Sequence, residues 1–214
     1  MKKQEPDVKQ KRPYDASRRQ EQARLTAARI VEVAERRFLT DGLGTTLASI
    51  AAEAGVSADT LYKSFGGRAG LLRAIRQRAL LGDGSAPAEQ RSNALHGRDS
   101  DPREILRGWG TLTAEVMPRV APILLLIRSA AGTDARVGEL QAEMDEDRYR
   151  RMSENAHRLA ESGHLRAGVT AQNAADVLWT YSSPELYELL VLKRGWSAER
   201  YGTFIADGIA AQLL

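Results

Sequence analysis

The chain has 214 residues, a net charge of +3 and no cysteine. It therefore has no disulfide, no thiolate metal centre and no cysteine nucleophile. Apolar residues at 43% and charged residues at 28% are the balance of a globular protein long enough to bury a core.

The charge is uneven. Residues 1–80 carry +7 and residues 81–214 carry −4. A basic first third on a mildly acidic remainder points to a polyanion-binding part joined to something else. No uninterrupted apolar run approaches the roughly 18 residues that span a bilayer, the longest being Ile123–Ile127. The N-terminal MKKQEPDVKQKRPYD lacks the apolar stretch of a secretory signal, so a cytoplasmic, nucleoid-associated location is expected.

Residues 1–19 are polar, basic and without aliphatic periodicity, and read as a disordered arm. From about Arg19 to Thr40, Ile30, Val33, Ala34 and Phe38 recur on one helical face, and Asp41-Gly42 stops that helix. A short helix from about Thr46 to Ala54 turns through Gly55-Val56 into another, capped by Ser57 and ending near Phe65. Gly66-Gly67 break the chain before a fourth helix with Leu71, Leu72 and Ile75. The division is 20–66 for a helix-turn-helix domain, 67–82 for a linking helix and 83–101 for a Gly/Ser/Asp-rich loop, with a turn of helix possible after Pro87. In 102–214, Pro102 opens a helix to about Val116, and Pro118 and Pro122 bracket a short one to Ala131. A long helix runs from Asp134 to Ser162. Thr170 caps another to about Lys193 with a kink at Pro184, and Ser197 caps the last. No segment alternates with period two. The fold class is all-α with about nine helices: a three-helix helix-turn-helix domain and a larger C-terminal helical domain.

Thr46 to Phe65 carries the functional signal. Two short helices joined at a glycine, the second well capped, form the helix-turn-helix pattern. Ala51 lets the helices approach, Gly55 takes a conformation other residues resist, and Val56 plugs the angle. Ala58, Asp59, Thr60 and Lys63 are left facing outward, and the N-terminal amides of the second helix suit a phosphate.

The stretch TTLASIAAEAGVSADTLYKSFGGRAGLL, preceded by RIVEVAERRFLTDG, resembles the TetR family of transcriptional regulators. The matching residues are Ile30, Ala34, Phe38, Gly42, Thr46, Ile50, Ala51, Ala54–Ser57, Leu61, Tyr62, Phe65, Arg68, Leu71 and Leu72, about 50 residues without a gap. The departures are Arg37 at an often apolar position, Gly66-Gly67-Arg68 for a Pro-Ser-Lys type of turn, Ser64 for an aromatic or His, and Asp59 in the base-facing part. Asp59 either accepts from a cytosine amino group or stabilises the helix N-terminus. The resemblance implies a homodimer on a palindromic double-stranded DNA operator, released when a small-molecule effector binds the C-terminal domain. No cofactor is implied.

On this reading Arg18, Arg19 and Arg24 add phosphate or minor-groove contacts. Thr46, Ser57, Tyr62, Lys63 and Arg68 position the protein on the backbone, and Ala58, Asp59 and Thr60 face base edges. Trp109, Met117, Leu124, Met144, Met152, Leu178 and Tyr181 are core or, in part, the lining of an apolar effector cavity. Arg148, between Met144 and Met152, meets an anionic ligand, pairs with a carboxylate or reaches solvent. Leu186, Leu189 and Leu190, with Tyr201, Phe204, Ile205, Ile209 and Leu213, form two stripes that read as a four-helix dimer surface or as the closure of their own domain. His157, Glu161 and His164 have helical metal-ligand spacing, but Ser162-Gly163 ends the helix before His164, so no metal is expected. The alternatives are an all-α enzyme using the C-terminal pocket, for which no catalytic constellation is visible, and a helix-turn-helix module serving architecture or protein contacts.

Overall fold

The computed structural model describes residues 16–82, 84–96 and 101–214. Most of the expected arm, residues 1–15, lies outside the described residues. Its last part is helical: α1 spans Ala16–Asp41, starting before its apolar pattern does. Ala, Gln, Glu and Arg are good helix formers, so the helix runs on without burial. There follow α2 (Leu47–Glu53), α3 (Ala58–Phe65), α4 (Arg68–Leu81), α5 (Ala88–Ala94), α6 (Pro102–Ala131) and α7 (Ala135–Glu161). Then come α8 (Ala171–Tyr181), α9 (Pro184–Tyr187), a π-helical turn (Glu188–Leu192) and α10 (Ala198–Leu213). Among the described residues there are ten α-helices and no strand.

Two further boundaries differ from the sequence expectation, both at prolines. Pro118 and Pro122 lie inside a continuous α6 rather than at its end. A proline leaves a carbonyl one turn back without its amide partner. Val116, Met117, Val120, Ala121 and Ile123 are nevertheless buried on either side, and their packing carries the helix through. Conversely, the single kinked helix expected after Thr170 is three pieces. Ser183, before Pro184, is extended at φ −74° and ψ 141°, as the proline ring requires of its predecessor. Pro184 then starts α9 in the first helical turn, where its missing N–H costs nothing.

α6 is long and apolar enough to cross a membrane by length and composition. Ten of its residues are buried inside this fold. It packs chiefly against α10, and also against α7, α4 and α9. α6 and α10 cross at Gly110 and Gly202, where a Cβ on either would overlap the other's carbonyl oxygen.

There are two main cores. The first joins Ile30, Phe38, Ile50, Leu61, Leu72 and Ile75 to Ile123 and Ile127 of α6 and to Val137, Leu140 and Met144 of α7. The second holds α6 from Ile105 to Ala121, the second half of α7, and α8 to α10. The linking helix is therefore not a tether. It belongs to the same packed core as the helix-turn-helix and the near ends of α6 and α7.

α5 is held on the other core by polar contacts. Arg151 and Arg158 of α7 both donate to the Asn93 side-chain oxygen, Arg151 at 2.6 Å. Just beyond α5, the His96 ring lies 5.3 Å from Trp109. Burial, then the charges of Arg158, Arg151 and His164, hold the His96 imidazole below its usual range. The folded state thus prefers neutral His96. That contribution is complete above the unfolded value of about 6.5 and is lost as pH falls toward the lower folded value. Lowering the pH from about 7.5 to about 5.5 should lower the melting temperature more in wild type than in His96→Phe. Equal falls would remove His96 as a source of acid sensitivity.

Candidate nucleic-acid interface

The helix-turn-helix is built by two caps and a glycine turn. The Thr46 hydroxyl oxygen accepts the Ser49 amide at 3.2 Å and fixes the start of α2. The Ser57 oxygen accepts the Thr60 amide at 3.1 Å and fixes the start of α3. Between them Gly55 sits at φ +69°, and the Val56 amide reaches back to the Ala51 carbonyl at 3.0 Å. Ile50, Ala51, Ala54 and Leu61 are buried beneath. α3 is thereby held rigidly with one face outward.

On that face Ala58, Asp59, Lys63 and Ser64 are exposed, and Tyr62 is 53% exposed. Thr60 is half-buried, and its hydroxyl shares a hydrogen bond with Ser57 at 2.9 Å. Asp59 and Lys63, one turn apart, form an exposed ion pair of 2.7 Å. Such a pair contributes about 0.5 kcal/mol or less, so Lys63 is easily released to an anion. Arg18, Arg19 and Arg24 lie on the solvent-exposed first turns of α1. Arg24 is bound to Glu21 at 2.8 Å.

Arg68, expected on the DNA backbone, has partners within the chain. It is half-buried, donates to the Thr45 carbonyl at 3.3 Å and lies 3.9 Å from Asp134. It fastens the start of α4 to the loop before α2 and to the cap of α7. Arg37, at its unusual position, pairs with Asp41 at 2.9 Å and Glu53 at 3.6 Å. Arg36 also pairs with Glu53. The two pairs with Glu53 tie α1 to α2, a role that charge patterning along α1 alone does not reveal.

Residues 30–75 match the family model described as bacterial regulatory proteins, tetR family. The helix-turn-helix, α2 to α3, lies wholly within that match. The likeness of fold to solved structures extends over about nine-tenths of the chain. The SmeT–triclosan complex is 22% identical, covers 89% of this chain and 92% of its own, and superposes with a TM-score of 0.70. SmeT is the repressor of the Stenotrophomonas maltophilia multidrug efflux pump SmeDEF. NalD from Pseudomonas aeruginosa, the secondary repressor of the MexAB-OprM multidrug efflux pump, is 21% identical with a TM-score of 0.69, covering 90% of this chain and 98% of its own. No curated protein sequence matches the chain.

The residues expected to bind an effector do not share one cavity. Leu124, Met144 and Arg148 line a single cleft. Trp109, Met117 and Leu178 are buried in the second core, with Met152 and Tyr181 packed against it. Arg148 realises the carboxylate-pairing option: it meets Asp145 at 3.2 Å, donates to the Trp179 carbonyl at 2.6 Å and lies 4.6 Å from the centre of the Trp179 ring. Among the described residues no group of three His, Asp or Glu could hold a metal.

The expected dimer stripes also divide. Tyr201, Ile205, Ile209 and Leu213 are buried within the chain itself, in the core that α6 and α10 share. They cannot meet a partner as well. Leu186 and Leu190 are half-buried against the same core. Leu189 and Phe204 are outward, joined by Trp179 and Leu192, which sequence reading passed over.

Proposed function

We propose that this protein is a ligand-responsive, sequence-specific DNA-binding transcriptional regulator that represses from an inverted-repeat operator as a homodimer in the cytoplasm. The observation that carries it is the capped, core-supported α3 with Ala58, Asp59, Tyr62 and Lys63 outward, within the TetR-family match. Ala58, Asp59 and Thr60 face base edges, while Ser57, Tyr62 and Lys63 position the backbone. Thr46 acts through its cap. Arg18, Arg19 and Arg24 extend the basic surface along α1. Arg68 orients the interface from behind instead of touching DNA.

The two efflux repressors of the same fold support the repressor reading, and the triclosan complex of one of them supports a small-molecule effector. Dimerisation is assigned to the outer faces of α8, the π turn and α10, through Trp179, Leu189, Leu192 and Phe204, which a second copy would cover. Neither catalysis nor a cofactor is part of this reading.

The test is a salt titration of duplex DNA binding. Log K should fall linearly with log salt, and Lys63→Ala should reduce the slope by about one. Asp59→Ala, which frees Lys63 and removes a negative charge, should tighten binding to unrelated sequences. An unchanged slope for Lys63→Ala would contradict its phosphate contact.

A further inference from the structure

The cleft lined by Leu124, Met144 and Arg148 lies where α4, α6, α7 and α9 meet. Its enclosed volume is about 30 Å³, room for one small polar group and not for a whole organic molecule. The lining has an apolar part, Leu124, Ile127 and Met144, and a charged part. Three guanidiniums from three helices converge on it: Arg76 of α4, Arg128 of α6 and Arg148 of α7. They face two carboxylates, Asp145 and Glu185.

The three cations are unequally served. Arg128 is paired with Glu185 at 2.6 Å. Arg148 has Asp145, the Trp179 carbonyl and the Ser182 hydroxyl. Among the described residues the only carboxylate within 4 Å of Arg76 is Asp147 at 3.6 Å, and Asp147 is closer to Arg150, at 2.7 Å. Yet the Arg76 side chain is only 21% exposed. A cation taken that far from water needs better compensation than one long, shared ion pair. Burial also lowers the Arg148 pKa, and the Arg76 charge adds to the effect. Both residues would be relieved by an added anion.

We propose that this cleft binds an amphipathic organic acid, its anionic head between Arg76 and Arg148 and its apolar tail along Leu124, Ile127 and Met144. This rests on the reading of the protein as a ligand-responsive regulator and names the chemical class of its effector. The enclosed space takes the head alone. The tail has to part the Arg128–Glu185 pair that closes α6 against α9. The bound state then differs from the free one, as a ligand that shifts a conformational equilibrium requires. Arg76 is also the link to DNA. It follows Ile75, which is fully buried in the core shared with α3. Arg73, three residues earlier, is clamped to Glu143 of α7 at 2.7 Å. Drawing Arg76 toward an anion turns α4 against that clamp.

The probes are decanoate, decanol and decyltrimethylammonium, one chain with anionic, neutral and cationic heads. Calorimetry reads their binding, and fluorescence anisotropy reads the release of a duplex selected by the protein. Decanoate should bind about tenfold or more tightly than the other two, the weight of a charge-assisted hydrogen bond. Arg76→Gln and Arg148→Gln should each lose about that factor, whereas Arg76→Lys, which keeps the charge, should lose less. Equal binding of all three probes, no decanoate binding, or undiminished decanoate binding by both glutamine variants would overturn the site. Release of DNA by the cationic probe with no Arg76 dependence would overturn the anion assignment while leaving the regulator reading in place. Failure of the ligand-free protein to bind any duplex would instead sink the regulator reading, and with it the coupling through Arg76.

Discussion

Replacing Phe38 with alanine is expected to destabilise the protein by about 3–5 kcal/mol, the range for emptying a packed aromatic site. Phe38 is fully buried in the core that also holds Ile50 and Leu61 of the helix-turn-helix. At this chain length that corresponds to a fall in melting temperature on the order of 10 °C. Because the same core continues into Ile123, Val137 and Leu140, the loss should shift the main calorimetric transition. A separate early transition for the N-terminal residues, with the rest melting as in wild type, would contradict a core shared across the linking helix.

Gly70→Ala should be comparably damaging to function, for the opposite reason. Gly70 lies in the first turn of α4, and a Cβ there would overlap the Phe65 carbonyl oxygen at the end of α3. Without that close approach, alanine would stabilise the helix by about 1 kcal/mol. With it, backbone must move, and the cost is about 1–3 kcal/mol net of any gain. The displaced element is α3 itself. DNA affinity should therefore fall while the helical content measured by circular dichroism stays near wild type. A stabilised variant with full DNA affinity would show that α3 and α4 are not in contact at this point. The neighbouring Gly66 and Gly67, at φ +69° and +124°, explain why this chain has glycines at its unusual turn: the backbone there takes positive φ that residues with a Cβ rarely adopt.

The helix-turn-helix was legible in the sequence because its determinants are local. Thr46 and Ser57 cap within three residues, Gly55 turns the chain, and Ile50 and Leu61 mark the buried faces. What sequence did not reveal depends on partners far along the chain. The apolar stripe Tyr201, Ile205, Ile209 and Leu213 has correct helical spacing, but spacing does not say whether α6 or a second chain lies against it. Pro118 and Pro122 are strong local stop signals, overridden by burial on both sides of them. Arg68 looks like a phosphate contact by charge, and its contacts with Thr45 and Asp134, neither of them near in sequence, leave no mark on the pattern. Arg148 stood out between two methionines. Arg76 and Arg128 showed no such pattern, and only the packing of α4, α6 and α7 brings the three together. Trp179 and Leu192 were missed because single exposed apolar residues carry no period.

On the proposed function, two copies of α3 recognise a specific DNA sequence. Selection of fragments from a random duplex library by the purified protein, at two salt concentrations, tests it most directly. The expected result is enrichment of an inverted repeat whose half-site centres lie about one helical turn, or a multiple of it, apart, with affinity falling steeply as salt rises. Enrichment of no sequence by protein freed of bound small molecules, or of a single unrepeated site, would contradict it.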